Sequence, residues 1–145
     1  KLRADADWTP DPAAFGQALK RVAAHVHHDG LIVIASDFFG WNDVCLEAIK
    51  AIRRSNDVIC GLISDPLERD ISAARKLVIS DGRFQLEVDP EREDAARRYE
   101  EAFESSVREI TDELKRHSIP VLPIDSGSSV AAQVRRQLGG GVAQR

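Results

Sequence analysis

Asp37 follows directly on an apolar run in the stretch LIVIASDFFGWND, Leu31 to Asp43, and is itself followed by Phe38, Phe39 and Trp41. A carboxylate there can be a metal ligand, a nucleophile, a general base or the polar stop of a buried strand. In open α/β sheets the ligand crevice lies outside the carboxyl ends of the strands, which makes the position a privileged one. The aromatic side chains bring a large apolar area into the same loop. Exposed, they form a contact surface, because aromatic residues are enriched among those that carry interface energy. Folded back, they close the end of the sheet.

A second acid in a comparable place is Asp125, in Asp125-Ser126-Gly127-Ser128-Ser129. The pattern approximates DxSxS, in which a loop offers one carboxylate and two hydroxyls to a hard cation. Glycine occupies the third position, and ordinary helix capping by Ser126 or Ser128 is the better account of the stretch. His25, His27 and His28 cluster where a first helix should end, but no carboxylate or cysteine at ligand spacing joins them. Cys45 and Cys60 sit in apolar settings, without CxxC or Cys/His spacing, and read as reduced core residues. There is no GxGxxG, P-loop, GxSxG elbow or DxDxT motif. A phosphoryl-accepting Asp37 would need a paired acid cluster and a lysine from a later strand end, and neither late strand supplies one.

The chain that must position these groups has 145 residues, 43 % hydrophobic and 30 % charged, with a formal net charge of -4. That is the balance of one soluble globular domain, and it gives no global reason to expect nucleic acid, which calls for a basic patch. No apolar run approaches the roughly 18 residues of a membrane span. The chain begins at Lys1 and contains no methionine, so a fragment of a longer protein is expected.

Residues 1–10 read as a polar lead-in, 11–138 as a single α/β domain and 139–145 as a flexible tail. Asp11 and Pro12 give an N-cap followed by proline at the first helical position, and Phe15, Leu19, Val22 and Val26 recur at helical spacing until Asp29-Gly30. Leu31 to Ser36 is a continuous, β-branched apolar run, as expected of a strand covered on both faces. Asn42 caps a second helix carrying Cys45, Ala48, Ile49 and Ile52, and Val58 to Ile63 is the next buried strand. Helix, strand, helix, strand with short connections predicts a mostly parallel sheet flanked by helices on both faces. Asp81-Gly82, between Leu77–Ser80 and Arg83–Val88, signals a two-residue hairpin decorating one sheet edge. Pro90 starts the longest helix, with Tyr99, Phe103, Val107, Ile110 and Leu114 on one face. IPVLPID, Ile119 to Asp125, returns as a strand whose prolines suit an edge. A last helix carries Val130, Val134 and Leu138.

The stretch IVIASDFFG, the strand with DVICGLISDPLERD, the hairpin, and REDAARRYEEAFESSVREITDELKRHSIPVLPIDSGSSV resemble, in order and spacing, the C-terminal half of bacterial proteins of domain-of-unknown-function family 58. Those proteins carry a von Willebrand factor A-like domain. The resemblance spans roughly residues 15 to 138 and rests on the SDF and DPLE stretches with the element order. It implies a doubly wound, Rossmann-like α/β domain with an added β-hairpin and a metal-ion-dependent adhesion site at the sheet end. Asp37 matches that site's third element, the aspartate after a later strand. The DxSxS loop of such a site would lie upstream of Lys1, and Pro12-Ala13-Ala14 stands where its second-loop threonine is expected. Mg²⁺ or Mn²⁺ is therefore implied only together with that upstream motif.

The resemblance further implies an adaptor that works with a MoxR-type AAA+ ATPase in assembling or maturing protein complexes. Its expected location is the cytoplasm, or the cytoplasmic face of a membrane if the parent protein is anchored. The contact surface expected from the residues is Asp37, Phe38, Phe39 and Trp41, with Asp65 and Glu68 of the DPLE stretch beside it. No nucleic-acid or membrane contact is expected of this stretch of chain. The alternative is a metal-assisted hydrolase using Asp37.

Overall fold

The computed structural model describes residues 11–66, 77–80, 85–88 and 93–139. The elements follow in the order α1 (Ala14–His25), β1 (Leu31–Ser36), α2 (Asp43–Arg53), β2 (Asp57–Ser64), β3 (Leu77–Ser80), β4 (Gln85–Val88), α3 (Glu93–Arg116), β5 (Val121–Asp125) and α4 (Val130–Gly139). The fold is α/β. Strands β1, β2 and β5 form an all-parallel open sheet in the order β1-β2-β5.

The apolar periodicities explain most of this arrangement. Ile32 and Ile34 of β1 share a face with Val58, Cys60 and Leu62 of β2, because paired residues in neighbouring strands point the same way and successive ones alternate. Onto that face pack Leu19 of α1, Cys45, Ala48, Ile49 and Ile52 of α2, and Ile110 and Leu114 of α3, in one cluster. Asn42 caps α2 as expected, its Oδ1 accepting from the amides of Val44 and Cys45 at 2.9 and 3.3 Å. The stripe on α3 is also as expected, with Ile110 and Leu114 buried and Val107 packed against the core. β5 lies at a sheet edge, where Pro123 removes no interior ladder bond.

Cys45 and Cys60 are free and buried. Burial pushes the Cys60 thiol up to about 12, so it stays protonated at neutral pH and is a packing residue rather than a nucleophile.

Five expectations need correction. Asp11 does not cap α1 directly: its Oδ1 accepts from Ala13 N at 2.9 Å and its carbonyl from Ala14 N at 3.0 Å, forming a turn that delivers the chain to a helix starting at Ala14. Val22 is 40 % exposed, and Ala23 takes its place on the inward face of α1. In α4 the buried residue is Gln133, whereas Val130 and Leu138 are exposed, because the amide of Gln133 bonds the backbone of Asp125 at the end of β5. β3 and β4 pair antiparallel and, among the described residues, form a sheet of their own with no ladder to the parallel sheet. Ser80 pairs with Gln85 and not with Arg83; Asp81, Gly82 and Arg83 lie outside the described residues, as does Pro90.

The fifth correction concerns β1. Leu31 and Val33 are 60 % and 63 % exposed, so the strand is covered on one face only. Among the described residues, α4 packs on β5, at the opposite edge of the sheet.

Candidate functional site

The loop from Ser36 to Asn42 leaves the carboxyl end of β1 and is held by a series of short hydrogen bonds. Ser36 Oγ accepts from Phe38 N at 3.0 Å, Asp37 Oδ1 accepts from Phe39 N at 3.0 Å, and Phe38 O accepts from Trp41 N at 3.0 Å. Asn42 Nδ2 donates to Gly40 O at 3.0 Å. Local bonds of this kind from Ser, Asp and Asn side chains compete with regular structure and define a turn.

Two residues of the loop have left-handed backbone, Phe38 with φ 59° and Gly40 with φ 77°. For Gly40 the reason is space as well as torsion: a Cβ there would lie 2.1 Å from the carbonyl oxygen of Pro12. For Phe38 the strain is offset by burial. Its ring is 2 % exposed and contacts Phe15 edge-on at 5.3 Å and Trp41 at 5.6 Å between centroids. Phe38 is thus a core residue and not part of the contact surface expected for it, because the turn rotates its side chain inward between α1 and Trp41.

The same turn points Phe39 outward, and its side chain is 44 % exposed. Trp41 is half-buried: its ring packs on the core and its indole N–H donates to Glu113 Oε2 on α3 at 2.8 Å. Between this loop and α3 opens a cleft of about 460 Å³, bounded by Asp37, Phe39, Trp41, Phe103, Glu109 and Glu113, with Leu62 and Ile63 from the end of β2. Among the described residues its charged lining is Asp37, Glu109 and Glu113.

Asp37 is exposed, and both of its hydrogen bonds, from Phe39 N and from Ser36 Oγ at 3.3 Å, fall on Oδ1. Its first role is therefore that of a turn acceptor. Among the described residues no group of three His, Cys, Asp or Glu side chains is placed to hold a metal ion. The residues described around Asp37 do not by themselves make the Mg²⁺ or Mn²⁺ site implied by the resemblance, nor the metal centre of a hydrolase.

The chain matches no family model, no curated protein and no solved structure. The site is read from its own geometry.

Asp65 joins the other acidic loop instead of the Asp37 cleft. Its Oδ2 accepts from Ser126 Oγ at 2.8 Å, while Glu68 lies outside the described residues. Asp125 Oδ1 accepts from Gly127 N at 2.6 Å, and Gln133 fastens the loop from below. Its Nε2 donates to Asp125 O, Ser128 O and Ser128 Oγ, and its Oε1 accepts from Asp125 N at 2.9 Å. The carboxylate and the hydroxyls of Ser126 and Ser128 are thus engaged in holding the turn together, bonded to Gly127 N, Asp65 and Gln133 Nε2. Two of the three clustered histidines are likewise occupied locally: His25 Nδ1 bonds Arg21 O at 2.8 Å and His28 Nδ1 bonds Asp29 Oδ2 at 2.5 Å.

Glu109, Glu113 and Gln133 carry no functional signal in the sequence, and Phe103 reads there only as part of the apolar stripe of α3. The acids are one turn apart beside the apolar stripe of α3, where they read as part of a solvated face. Only the tertiary contact between Trp41 and Glu113, 72 positions apart, turns that face into a cleft wall.

Proposed function

We propose that the chain is a protein-docking domain, an adaptor that holds a partner through the cleft at the carboxyl end of its sheet. The observation that carries this reading is Phe39: a large apolar ring, 44 % exposed, on a loop whose backbone is fixed by hydrogen bonds. Holding the loop in one conformation lowers the entropy lost on binding, and an aromatic side chain beside a concave wall is what an interface anchor requires. Phe38 and Trp41 support the loop from within, so the contact residues are Phe39, Asp37 and the α3 side of the cleft.

The resemblance to family 58 supports a MoxR-type AAA+ ATPase as the partner and assembly or maturation of protein complexes as the setting. It also supports a cytoplasmic location. Among the described residues no helix is long and apolar enough to cross a membrane.

Affinity capture from the native host, with the parent protein and its Phe39→Ala variant, tests the reading. An AAA+ ATPase enriched with the parent and lost from a variant of unchanged circular dichroism supports it. Equal enrichment with both proteins, or none with either, removes it.

A further inference from the structure

We propose that the occupant of the sheet-end cleft is a basic, apolar peptide segment, with arginine or lysine next to a hydrophobic residue. The inference rests on the docking reading and goes beyond it by naming the chemistry of the partner. Among the described residues every charged side chain lining the cleft is an acid, Asp37 on the loop and Glu109 and Glu113 on α3. Beside the acids, apolar side chains line the cleft, Phe39 on the loop and Phe103, Val107 and Ile110 on the helix. An apolar groove with a rim of one sign selects a segment of opposite charge and repels an acidic one.

Three details sharpen the match. Glu109 and Glu113 stand one helical turn apart, an arrangement of like charges that opposes helix stability until a cation lies between them. Glu113 is held in place by the Trp41 indole N–H at 2.8 Å, so its carboxylate is positioned before any ligand arrives. Both hydrogen bonds to Asp37 fall on Oδ1, and among the described residues Oδ2 has no partner. An arginine is the better occupant of the two, since its planar guanidinium stacks on an aromatic face as well as pairing with carboxylates.

The test is fluorescence anisotropy on the whole chain with short labelled peptides of alternating leucine and arginine, and with versions carrying glutamine or glutamate in place of arginine. The arginine peptide should bind tightest, weaken with added salt, and lose affinity by roughly threefold or more in Glu109→Gln. Phe39→Ala should weaken all binding, which separates docking in the cleft from charge attraction elsewhere on the chain. Equal binding of the arginine and glutamine peptides, preference for the glutamate peptide, or binding of none overturns the proposal. The docking reading itself is then decided separately by whether Phe39→Ala still captures the parent's partner. A titration with Mg²⁺ alone whose heat disappears in Asp37→Asn would make the occupant a cation, and would overturn the peptide as well.

Discussion

The two acidic loops at the carboxyl end of the sheet use the same local device to different ends. Asp37 after β1 and Asp125 after β5 each accept, on Oδ1, the amide two residues ahead, at 3.0 and 2.6 Å. Around Asp125 the neighbours are polar and mutually bonded: Ser126 to Asp65, and Gln133 to the backbone and to Ser128. Around Asp37 they are aromatic, and the turn sends one ring into the core and the next into solvent. A carboxylate at a strand end is thus first a way of ending a strand. What the loop can do beyond that depends on what the turn displays, and only the Asp37 loop displays an apolar surface beside a cleft.

The largest expected effect breaks the Asp37 loop from within. Phe38→Ala removes a ring that is 2 % exposed and leaves a void between Phe15 and Trp41, at about 3–5 kcal/mol of stability. The neighbouring Phe39→Ala should lie within about 0.5 kcal/mol of the parent, because the residue is exposed and outside the core cluster. Urea unfolding of both variants measures the contrast. Similar losses for the two would mean that Phe39 is packed rather than displayed, and the docking reading would lose its anchor.

Glycine substitutions sharpen the comparison next. Gly40→Ala combines a left-handed backbone with a Cβ 2.1 Å from the Pro12 carbonyl, a backbone atom that cannot swing away. Its loss should exceed the roughly 1–2 kcal/mol of the torsion alone. In the Asp125 loop a Cβ on Gly127 would meet the Pro66 ring at 2.7 Å and Asp125 Oδ1 at 3.0 Å. The proline is an exposed side chain that can shift, so the expected loss is smaller, about 1 kcal/mol. Thermal unfolding of the two variants should preserve that order.

Most of the framework was legible because it is local. Asn42 before an apolar stripe, the β-branched run of β2 and the prolines of β5 each state their role within a few residues. What was not legible came from tertiary neighbours. The run Leu31–Ser36 is as apolar as a strand covered on both sides, yet Leu31 and Val33 are open on one face. Nothing in a strand's own residues says whether a second layer covers them. The inward turn of Phe38 depends on a left-handed backbone that no FF pair announces. Gln133 is buried on a helix whose Val130 and Leu138 are exposed, because the backbone of Asp125 that it meets calls for an amide instead of a methyl group. The cleft required the Trp41–Glu113 contact, which joins two regions far apart in the chain.

The smallest effects test the shared device itself. Asp37→Ala and Asp125→Ala each remove one turn acceptor and should each cost about 1 kcal/mol, the usual value for a side chain capping a backbone amide. Asparagine keeps an Oδ1 acceptor and discards the charge, so Asp37→Asn and Asp125→Asn should restore most of that stability. The two loops then part in binding: Asp37→Asn should weaken capture of the arginine peptide by removing a rim charge, while Asp125→Asn should leave it unchanged. Equal weakening by both would show that the peptide senses the chain's net charge of -4 rather than the cleft. A full loss of stability in Asp37→Asn would place the carboxylate's charge, and not its hydrogen-bond geometry, at the centre of the fold.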